Sequence, residues 1–191
     1  MKSKRLYAIG LAVLLMTGVG LFSAWATQTA TATVTIGAVA TGMTITVDNA
    51  NPFVPSGTCP PEGRHVETVN TQIWTARPPC DNDCAFMLTI YFNSEQENMI
   101  STLLAFRVTF DNGDSPPTVY AEGKTLSVSG TQVDNLIYVS PETGSETLYI
   151  QPGSPNNGYF HVWLETVSWS PGFPPTGPGS INLLLAGKAL D

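Results

Sequence analysis

The feature that most constrains the fold of this chain is an alternation of apolar and polar side chains that recurs from residue 86 to residue 185. A period of two places every second side chain on the same face of a β-strand. The alternating apolar residues are Phe86, Leu88, Ile90 and Phe92; Leu104, Phe106, Val108 and Phe110; Phe160, Val162 and Leu164; and Ile181, Leu183 and Leu185. Turn-forming segments separate these runs, including residues 111–114 and the proline-rich loop 171–179. The pattern predicts an all-β protein, a jelly-roll-like β-sandwich.

One segment carries a helical signal instead. Ser94, Glu95, Gln96 and Glu97 match the S-x-x-E capping box that starts many helices. The apolar residues that follow at helical spacing are Met99, Ile100, Leu103 and Leu104. We therefore expect one short helix that covers an end of the sandwich and has no catalytic role.

The first 26 residues have the pattern of an export signal. Positive charges at the start precede an uncharged stretch over residues 6–22, and Ala24-Trp25-Ala26 supplies the small-x-small site that signal peptidase recognises. We predict cleavage after Ala26. Because the uncharged stretch is long enough to span a bilayer, an uncleaved N-terminal anchor is the alternative. The mature protein is thus expected outside the cell or on its surface, with membrane contact only during export.

Charge excludes one class of partner. Cleavage would remove Lys2, Lys4 and Arg5, which leaves five of the eight basic residues against fifteen acidic ones, a formal net charge of −10. Nucleic acid is therefore not an expected partner. The remaining 165 of the 191 residues suffice for one domain with its own core. The predicted division is a signal peptide over 1–26, an N-terminal strand over 27–40 and a sandwich domain over 41–191.

The first mature segment alternates strictly from Thr29 to Val39. Its predicted apolar face consists of Ala30, Ala32, Val34, Ile36 and Ala38, and threonines occupy the other face. After Gly42 the alternation changes phase, so a turn over 37–42 is expected to separate two strands. A strand at a free N terminus either pairs within its own sheet or completes the sheet of another copy, as in donor-strand β-augmentation. The residues alone leave both options open.

The junction from Gly20 to Val47 resembles the start of the TasA and camelysin family of bacterial biofilm-fibre subunits, which includes the related archaeal bundling pili. The matching features are Trp25 near the cleavage site, the Thr/Ala-rich strand Thr29 to Ile36, Gly37 in a turn, and a second strand from Met43 to Val47. The aspartate that often follows the aromatic is absent here. The resemblance implies a jelly-roll subunit that polymerises head to tail by donating its N-terminal strand. The five apolar residues of that strand would form the subunit contact, and no cofactor is implied.

The predicted strand over 159–169 carries aromatic side chains on its second face, namely Tyr159, His161, Trp163 and Trp169, next to Glu165 and Val167. Two interpretations stay open. The strand is either central and covered by a loop, or its aromatic face contacts a neighbouring subunit or a sugar. Sugar binding defines the alternative function, a secreted carbohydrate-binding or surface-layer module with Trp74, Trp163 and Trp169 as stacking platforms.

Three cysteines, Cys59, Cys80 and Cys84, lie in proline-rich surroundings of an exported chain. A disulfide from Cys59 to either of the others would staple the long excursion over 49–85, with the third thiol free or linking subunits. A zinc site of the three cysteines with His65, and calcium at residues 81–83 or 111–114, are weaker alternatives. No metal or cofactor is expected.

Motifs for catalysis are missing from the sequence. It contains no H-E-x-x-H, although camelysin is described as a metalloprotease, and no G-x-S-x-G. The sequence therefore predicts a structural protein and not an enzyme. Its expected partner is a further copy of itself, with lateral contact to other filaments as an additional option.

Overall fold

The computed structural model describes residues 29–53, 56–58, 65–78, 84–94, 103–111, 116–140, 142–151, 159–169 and 179–190. These residues form strands in two packed sheets, which confirms the predicted all-β sandwich. The strands are β1 (Thr29–Thr41), β2 (Thr44–Val47), β3 (Ser56–Thr58), β4 (His65–Arg77), β5 (Phe86–Ser94), β6 (Leu103–Phe110), β7 (Thr118–Ala121), β8 (Lys124–Leu126), β9 (Val128–Ser129), β10 (Gln132–Val133), β11 (Ile137–Val139), β12 (Ser145–Gln151), β13 (Phe160–Trp169) and β14 (Gly179–Ala189). Across the described residues no helix is long and apolar enough to span a membrane.

The first and the last described strands lie side by side in one of the two sheets. Sheet I has the order β3-β1-β14-β5-β12-β7-β8, and sheet II has the order β2-β4-β13-β6-β10-β9, with β11 also paired to β6. The β1–β14 pair is parallel, whereas the other registered pairs are antiparallel. The strand nearest the N terminus therefore lies against the last strand of the chain.

The core lies between the sheets and consists of the alternating residues that the sequence predicts. The apolar faces of β5, β6, β13 and β14 are buried to the last residue. Phe86 of sheet I meets Phe160 of sheet II edge to face, with 5.0 Å between the ring centroids. This contact joins the two layers directly, so the four strands with the clearest alternation form the centre of the sandwich.

The predicted turn over 37–42 is wrong, because β1 continues to Thr41. Val39, Ala40 and Thr41 stay in register with β14, and this ladder keeps the backbone extended. The chain instead changes sheets at Gly42, whose φ of 69° lies in the left-handed region, and a Cβ there would come within 3.1 Å of the Ala189 Cβ. The change of phase in the sequence thus marks a passage from sheet I to sheet II.

The expected excursion over 49–85 contains a thirteen-residue strand, β4, that pairs with both β2 and β13. Its alternation is hidden by β-bulges. The register with β13 skips Ile73, so that Ile73 and its neighbour Trp74 are both fully buried. Asn70, with a φ of 46°, lies at a second irregularity. Two consecutive inward residues break the period of two, which is why the strand escaped prediction.

The predicted helix falls mostly outside the described residues, as does the signal peptide. At its two ends the structure shows strand: Ser94 ends β5, and Leu103 and Leu104 begin β6. Leu104 is fully buried in the core and pairs with Val139 of β11. The helical placement of Leu103 and Leu104 is therefore wrong, because ladder pairing extends this end of the segment.

A tight hairpin between β7 and β8 brings two carboxylates together. Glu122 and Gly123 form its two-residue turn with φ values of 49° and 74°, the geometry of a type I′ turn. The pKa of Glu146 on β12 is raised, first by partial burial and then by the charge of Glu122, against a backbone hydrogen bond at Thr147 that lowers it. Ionised Glu146 therefore costs stability in the folded state.

We expect Glu122→Asn to stabilise the fold at neutral pH by about 1 kcal/mol, because asparagine tolerates the left-handed conformation and carries no charge. A raised pKa means that the folded state binds the proton more readily than the unfolded chain, so stability rises as pH falls toward the ordinary value of 4.5. Thermal unfolding at neutral and at mildly acidic pH should show that the unfolding temperature rises less on acidification in this variant than in the parent. An equal effect of Glu142→Asn, a control in another exposed turn, would contradict this account.

Candidate functional site

The N-terminal strand β1 lies between β14 and β3. Its parallel ladder with β14 runs from Ala32 opposite Gly179 to Thr41 opposite Lys188. Its antiparallel ladder with β3 is confined to Thr29–Thr31. Beyond Thr31, the second edge of β1 has no strand partner among the described residues, so β14 holds most of this strand.

The predicted contact face of this strand is turned toward the core in part. Val34 and Ile36 are in register with the buried Ile181 and Leu183 and pack against the core. Ala38 is in register with the buried Leu185 but is itself exposed. Ala30 and Ala32 belong to β1, and their side chains lie outside the described residues. Val34 and Ile36 are thus the two predicted residues whose side chains contribute to the core.

Trp74 closes the open edge of β1 from the other sheet. Its indole Nε1 donates a hydrogen bond to the Gly37 carbonyl at 3.0 Å, and its ring is fully buried on β4. The Trp74 ring also packs near Phe106, with 6.1 Å between centroids. The prediction of Trp74 as an exposed stacking platform is therefore wrong, because the bulge in β4 turns the ring into the core.

Gly37 lies in the middle of β1 and not in the turn that the sequence predicts. A Cβ at this position would lie 3.2 Å from Leu184 Cδ1 on the neighbouring strand, which is tighter than an ordinary van der Waals contact. The absence of a side chain thus lets β1 lie close to β14 on the outer face of the sheet. Glycine is needed here for close approach and not for a bend.

β1 is the first described strand, and its C-terminal end joins it to the rest of the described fold. The passage at Gly42 is the joint between this strand and sheet II. Removal would uncover the edge of β14 and the apolar contacts of Val34 and Ile36.

The aromatic face of β13 belongs to a central strand, which is the first part of the first interpretation, whereas the proline-rich loop expected to cover it lies, up to residue 178, outside the described residues. β13 pairs with β4 on one side and β6 on the other. A register shift beside Glu165 reverses the alternation, so Val167, predicted on the aromatic face, is fully buried in the core. The side chain of Trp169 lies outside the described residues.

Trp163 on this face is partly covered by groups of the same sheet, whereas Tyr159 is 38% exposed. The Arg107 guanidinium lies over the Trp163 ring, 4.7 Å from its centroid, and forms an ion pair with Glu165. The Trp163 indole donates to the Thr109 hydroxyl at 3.0 Å. Tyr159 has the Arg77 guanidinium 5.5 Å from its ring centroid. Trp163 is therefore occupied by its own arginine and offers less surface to a sugar than the sequence suggests.

His161 is part of a chain of hydrogen bonds across sheet II. Its Nε2 lies 2.8 Å from Asp111 Oδ1, and its Nδ1 lies 3.1 Å from the Thr75 hydroxyl. That hydroxyl donates to Asp48 at 2.6 Å, and the Gln72 amide also donates to Asp48, at 2.8 Å. These bonds tie the ends of β2 and β6 to β4 and β13, which is a structural task.

The predicted metal and cysteine sites fall largely outside the described residues. Among the described side chains there is no group of three or more His, Cys, Asp or Glu that could hold a metal ion. Cys84 is disulfide-bonded, whereas Cys59 and Cys80 are not among the described residues. The pairing of the three cysteines therefore stays a prediction.

A second surface, the outer face of sheet I, was missed by sequence reasoning. Tyr91 and Tyr149 are each 43% exposed there, and Tyr149 is in register with Tyr120. Thr89 and Thr147 lie between them and share a hydrogen bond of 3.0 Å. We call these five residues the tyrosine face. The signal was present in the sequence, because the tyrosines are the outward half of the same alternation whose apolar half was used to predict the core.

Charge is nearly absent from the tyrosine face and its surroundings. No carboxylate occupies an outward position along the registered pairs of β1, β14, β5, β12 and β7. Lys188 supplies a cation at the rim, and the apolar Leu184 and Val39 extend the face toward β1. On a protein with an excess of acidic residues, this face thus carries no carboxylate at its outward registered positions.

No protein-family model matches the sequence, and no curated protein matches it. Among solved structures, the chain is similar to the CBM36-1 domain of a multidomain xylanase from the hindgut metagenome of Trinervitermes trinervoides, with 13% identity, a TM-score of 0.21, and coverage of 58% of this chain and 100% of that domain. It is also similar to ACE19, the collagen-binding subdomain of the Enterococcus faecalis surface protein ACE, with 7% identity, a TM-score of 0.25, and coverage of 86% and 97%. A third match is the salicylyl-acyltransferase SsfX3 from a tetracycline biosynthetic pathway, with 10% identity, a TM-score of 0.24, and coverage of 69% of this chain and 42% of that one. Scores of this size carry no conclusion about activity, ligand or partner.

Proposed function

We propose that this protein is an exported structural subunit of an extracellular filament, in which β1 of one copy completes sheet I of the next. The observation that carries the proposal is the position of β1. It is an N-terminal strand that pairs in parallel with the C-terminal strand, has one strand neighbour beyond Thr31 among the described residues, and is joined to the other sheet at Gly42. A strand held in this way can be exchanged between copies.

We call the binding position of β1 along β14 the seat. The free energy of binding at the seat is the same for a strand from the same chain and for a strand from another copy. The seat on β14 offers the same ladder and the same apolar contacts to a strand from its own chain or from another. Val34 and Ile36 are partly buried, so each contributes less than the roughly 1.5 to 3 kcal/mol of a fully buried side chain, and each ladder hydrogen bond contributes roughly 0.5 to 1.5 kcal/mol. The joint at Gly42 and the concentration of subunits then decide which strand fills the seat. Because donor and acceptor surfaces differ, repeated donation gives an open chain of subunits and not a closed ring.

Sequence features support the same function. The predicted signal peptide would release the strand at a new N terminus outside the cell. The likeness of residues 20–47 to the TasA and camelysin family agrees with a fibre subunit that needs no cofactor and performs no catalysis. In this proposal residues 27–40 are the donated segment, residues 41–191 form the acceptor domain, and the principal partner is another copy of the chain.

Electron microscopy of the mature protein, beginning at Thr27, tests this function. We expect filaments from the parent protein and none from the double variant Val34→Asp with Ile36→Asp, because two charges would enter the seat against β14. Thr35→Asp with Thr41→Asp adds the same charge on exposed positions of the same strand and should leave filaments intact. Circular dichroism of both variants separates loss of assembly from loss of fold. Folded monomers from the parent under every condition that promotes assembly would contradict the proposal.

A second candidate function, a carbohydrate-binding module, is favoured by the tyrosine face. Flat, uncharged aromatic and hydroxyl side chains suit a neutral polysaccharide, since a sugar ring packs on an aromatic face while its hydroxyls bond polar neighbours. This face replaces the predicted tryptophan platforms, because Trp74 is buried and Trp163 is covered by Arg107. Lack of charge matches a neutral polymer better than an anionic one.

Sedimentation with insoluble neutral polysaccharides tests the second function. If the tyrosine face binds, Tyr91→Ala and Tyr149→Ala should each weaken retention about tenfold, the factor that corresponds to 1.4 kcal/mol. Tyr138→Ala is the matched control, because Tyr138 is 52% exposed on β11 of the other sheet. Binding that is unchanged in all three variants, or absent in the parent, would exclude this site.

A further inference from the structure

The apolar pattern of β1 does not by itself fix the position of the strand along β14. The face made of Ala30, Ala32, Val34, Ile36 and Ala38 keeps its alternation when the strand slides by two residues. Small side chains at three of these five positions make such a slip inexpensive in steric terms. A separate feature must select the observed register, in which Gly37 lies opposite Leu184.

Two contacts converge on Gly37 from different sides. On the free edge of β1, the Trp74 indole donates to its carbonyl at 3.0 Å, and this ring has no freedom to follow a displaced strand because it is fully buried. On the outer face, Leu184 Cδ1 leaves only 3.2 Å for a Cβ. The first contact fixes how closely the backbone lies, and the second means that Leu184 must move by a few tenths of an ångström to admit a Cβ, and further to admit a larger side chain.

We propose that Trp74 and Leu184 form a register slot that accepts Gly37 of the N-terminal strand. A slip of two residues would bring Thr35 or Val39 opposite Leu184, and both are β-branched, so their side chains would collide with it at the depth that Trp74 imposes. The indole N–H keeps an acceptor after either slip, because the carbonyl of Thr35 or Val39 then takes the place of the Gly37 carbonyl, so the selection comes from the side chain opposite Leu184. The slot thus discriminates between registers that the apolar face treats as equal.

The slot matters most for a strand supplied by another copy, and in this respect the inference rests on the proposed function. A strand in its own chain is also held by the passage at Gly42 and by the close approach of β2 to β14. Gly187 permits that approach, because a Cβ there would lie 2.6 Å from Met43 Sδ and 2.7 Å from Ile45 Cδ1. An incoming strand lacks this connection to the acceptor, so its register depends on Gly37.

Disulfide trapping in the mature full-length chain reads the register directly. Thr35→Cys with Asn182→Cys reports the observed register, because these residues are opposite each other, at about 4.8 Å between Cα atoms of paired strands. Thr35→Cys with Ser180→Cys reports the slip that brings Val39 opposite Leu184, and Thr33→Cys with Asn182→Cys reports the slip that brings Thr35 there. In both pairs the Cα atoms lie roughly 8 Å apart without slippage, beyond the reach of a disulfide. Mass spectrometry identifies each engineered link apart from the native cysteines.

We expect Gly37→Val and Trp74→Phe each to lower about tenfold the ratio of the 35–182 link to the two slipped links, 35–180 and 33–182, taken together. Ala40→Val is the matched control, because it adds a β-branched apolar side chain at an exposed position of the same strand, away from Leu184, and should leave the ratio unchanged. If Gly37→Val gives no folded protein, Gly37→Ala replaces it, with a smaller expected change in the same direction. An unchanged ratio in the folded Gly37 and Trp74 variants would overturn the slot.

The same trap separates this inference from the proposed function. The ratio of the disulfide links can be measured in monomers and in filaments, since both contain a strand paired with β14. A ratio that falls in the variants while no protein forms filaments would support the slot and contradict the filament function. Filaments in which the ratio is unchanged would support the function and overturn the slot.

Discussion

The hydrogen bond from the Trp74 indole to the Gly37 carbonyl is the interaction on which the seating of the N-terminal strand depends. It reaches from sheet II to an edge of sheet I that no described strand covers beyond Thr31. An uncovered strand edge otherwise exposes backbone groups that invite other chains. The buried indole satisfies one such group and holds the strand at a fixed depth. The bulge at Ile73 turns this ring into the core.

The central strands were predictable because the period of apolar residues in the sequence agrees with the burial of their side chains. In β5 and β14, and in β6 and β13 apart from Ala105 and Val167, the buried residues alternate with outward ones, so period and burial coincide. The β1 strand and its apolar residues Val34 and Ile36 were predictable for the same reason. The sequence thus contained the fold class and the strand at the centre of the functional proposal.

The remaining features were hidden by local departures from that period. Bulges in β4 and beside Glu165 reverse the inward face, which concealed a whole strand and misplaced Val167. Gly37 resembles a turn residue in sequence, but its role comes from a neighbour 147 positions later, Leu184, which only the sheet register reveals. The tyrosine face depends likewise on the order of strands in sheet I. The position of Arg107 over the Trp163 ring was equally unpredictable, since it results from the pairing of β6 with β13.

Mixing two singly substituted proteins tests the central claim, donation of β1 between copies, most directly. One protein carries Thr35→Cys, the other carries Asn182→Cys, and the mixture is allowed to assemble before mild oxidation. The account predicts a 35–182 disulfide between different chains, found in the filaments and identified by mass spectrometry, because the donated strand lies on the β14 of its neighbour. Filaments without this link, alongside its ready formation in a single chain that carries both cysteines, would contradict the account.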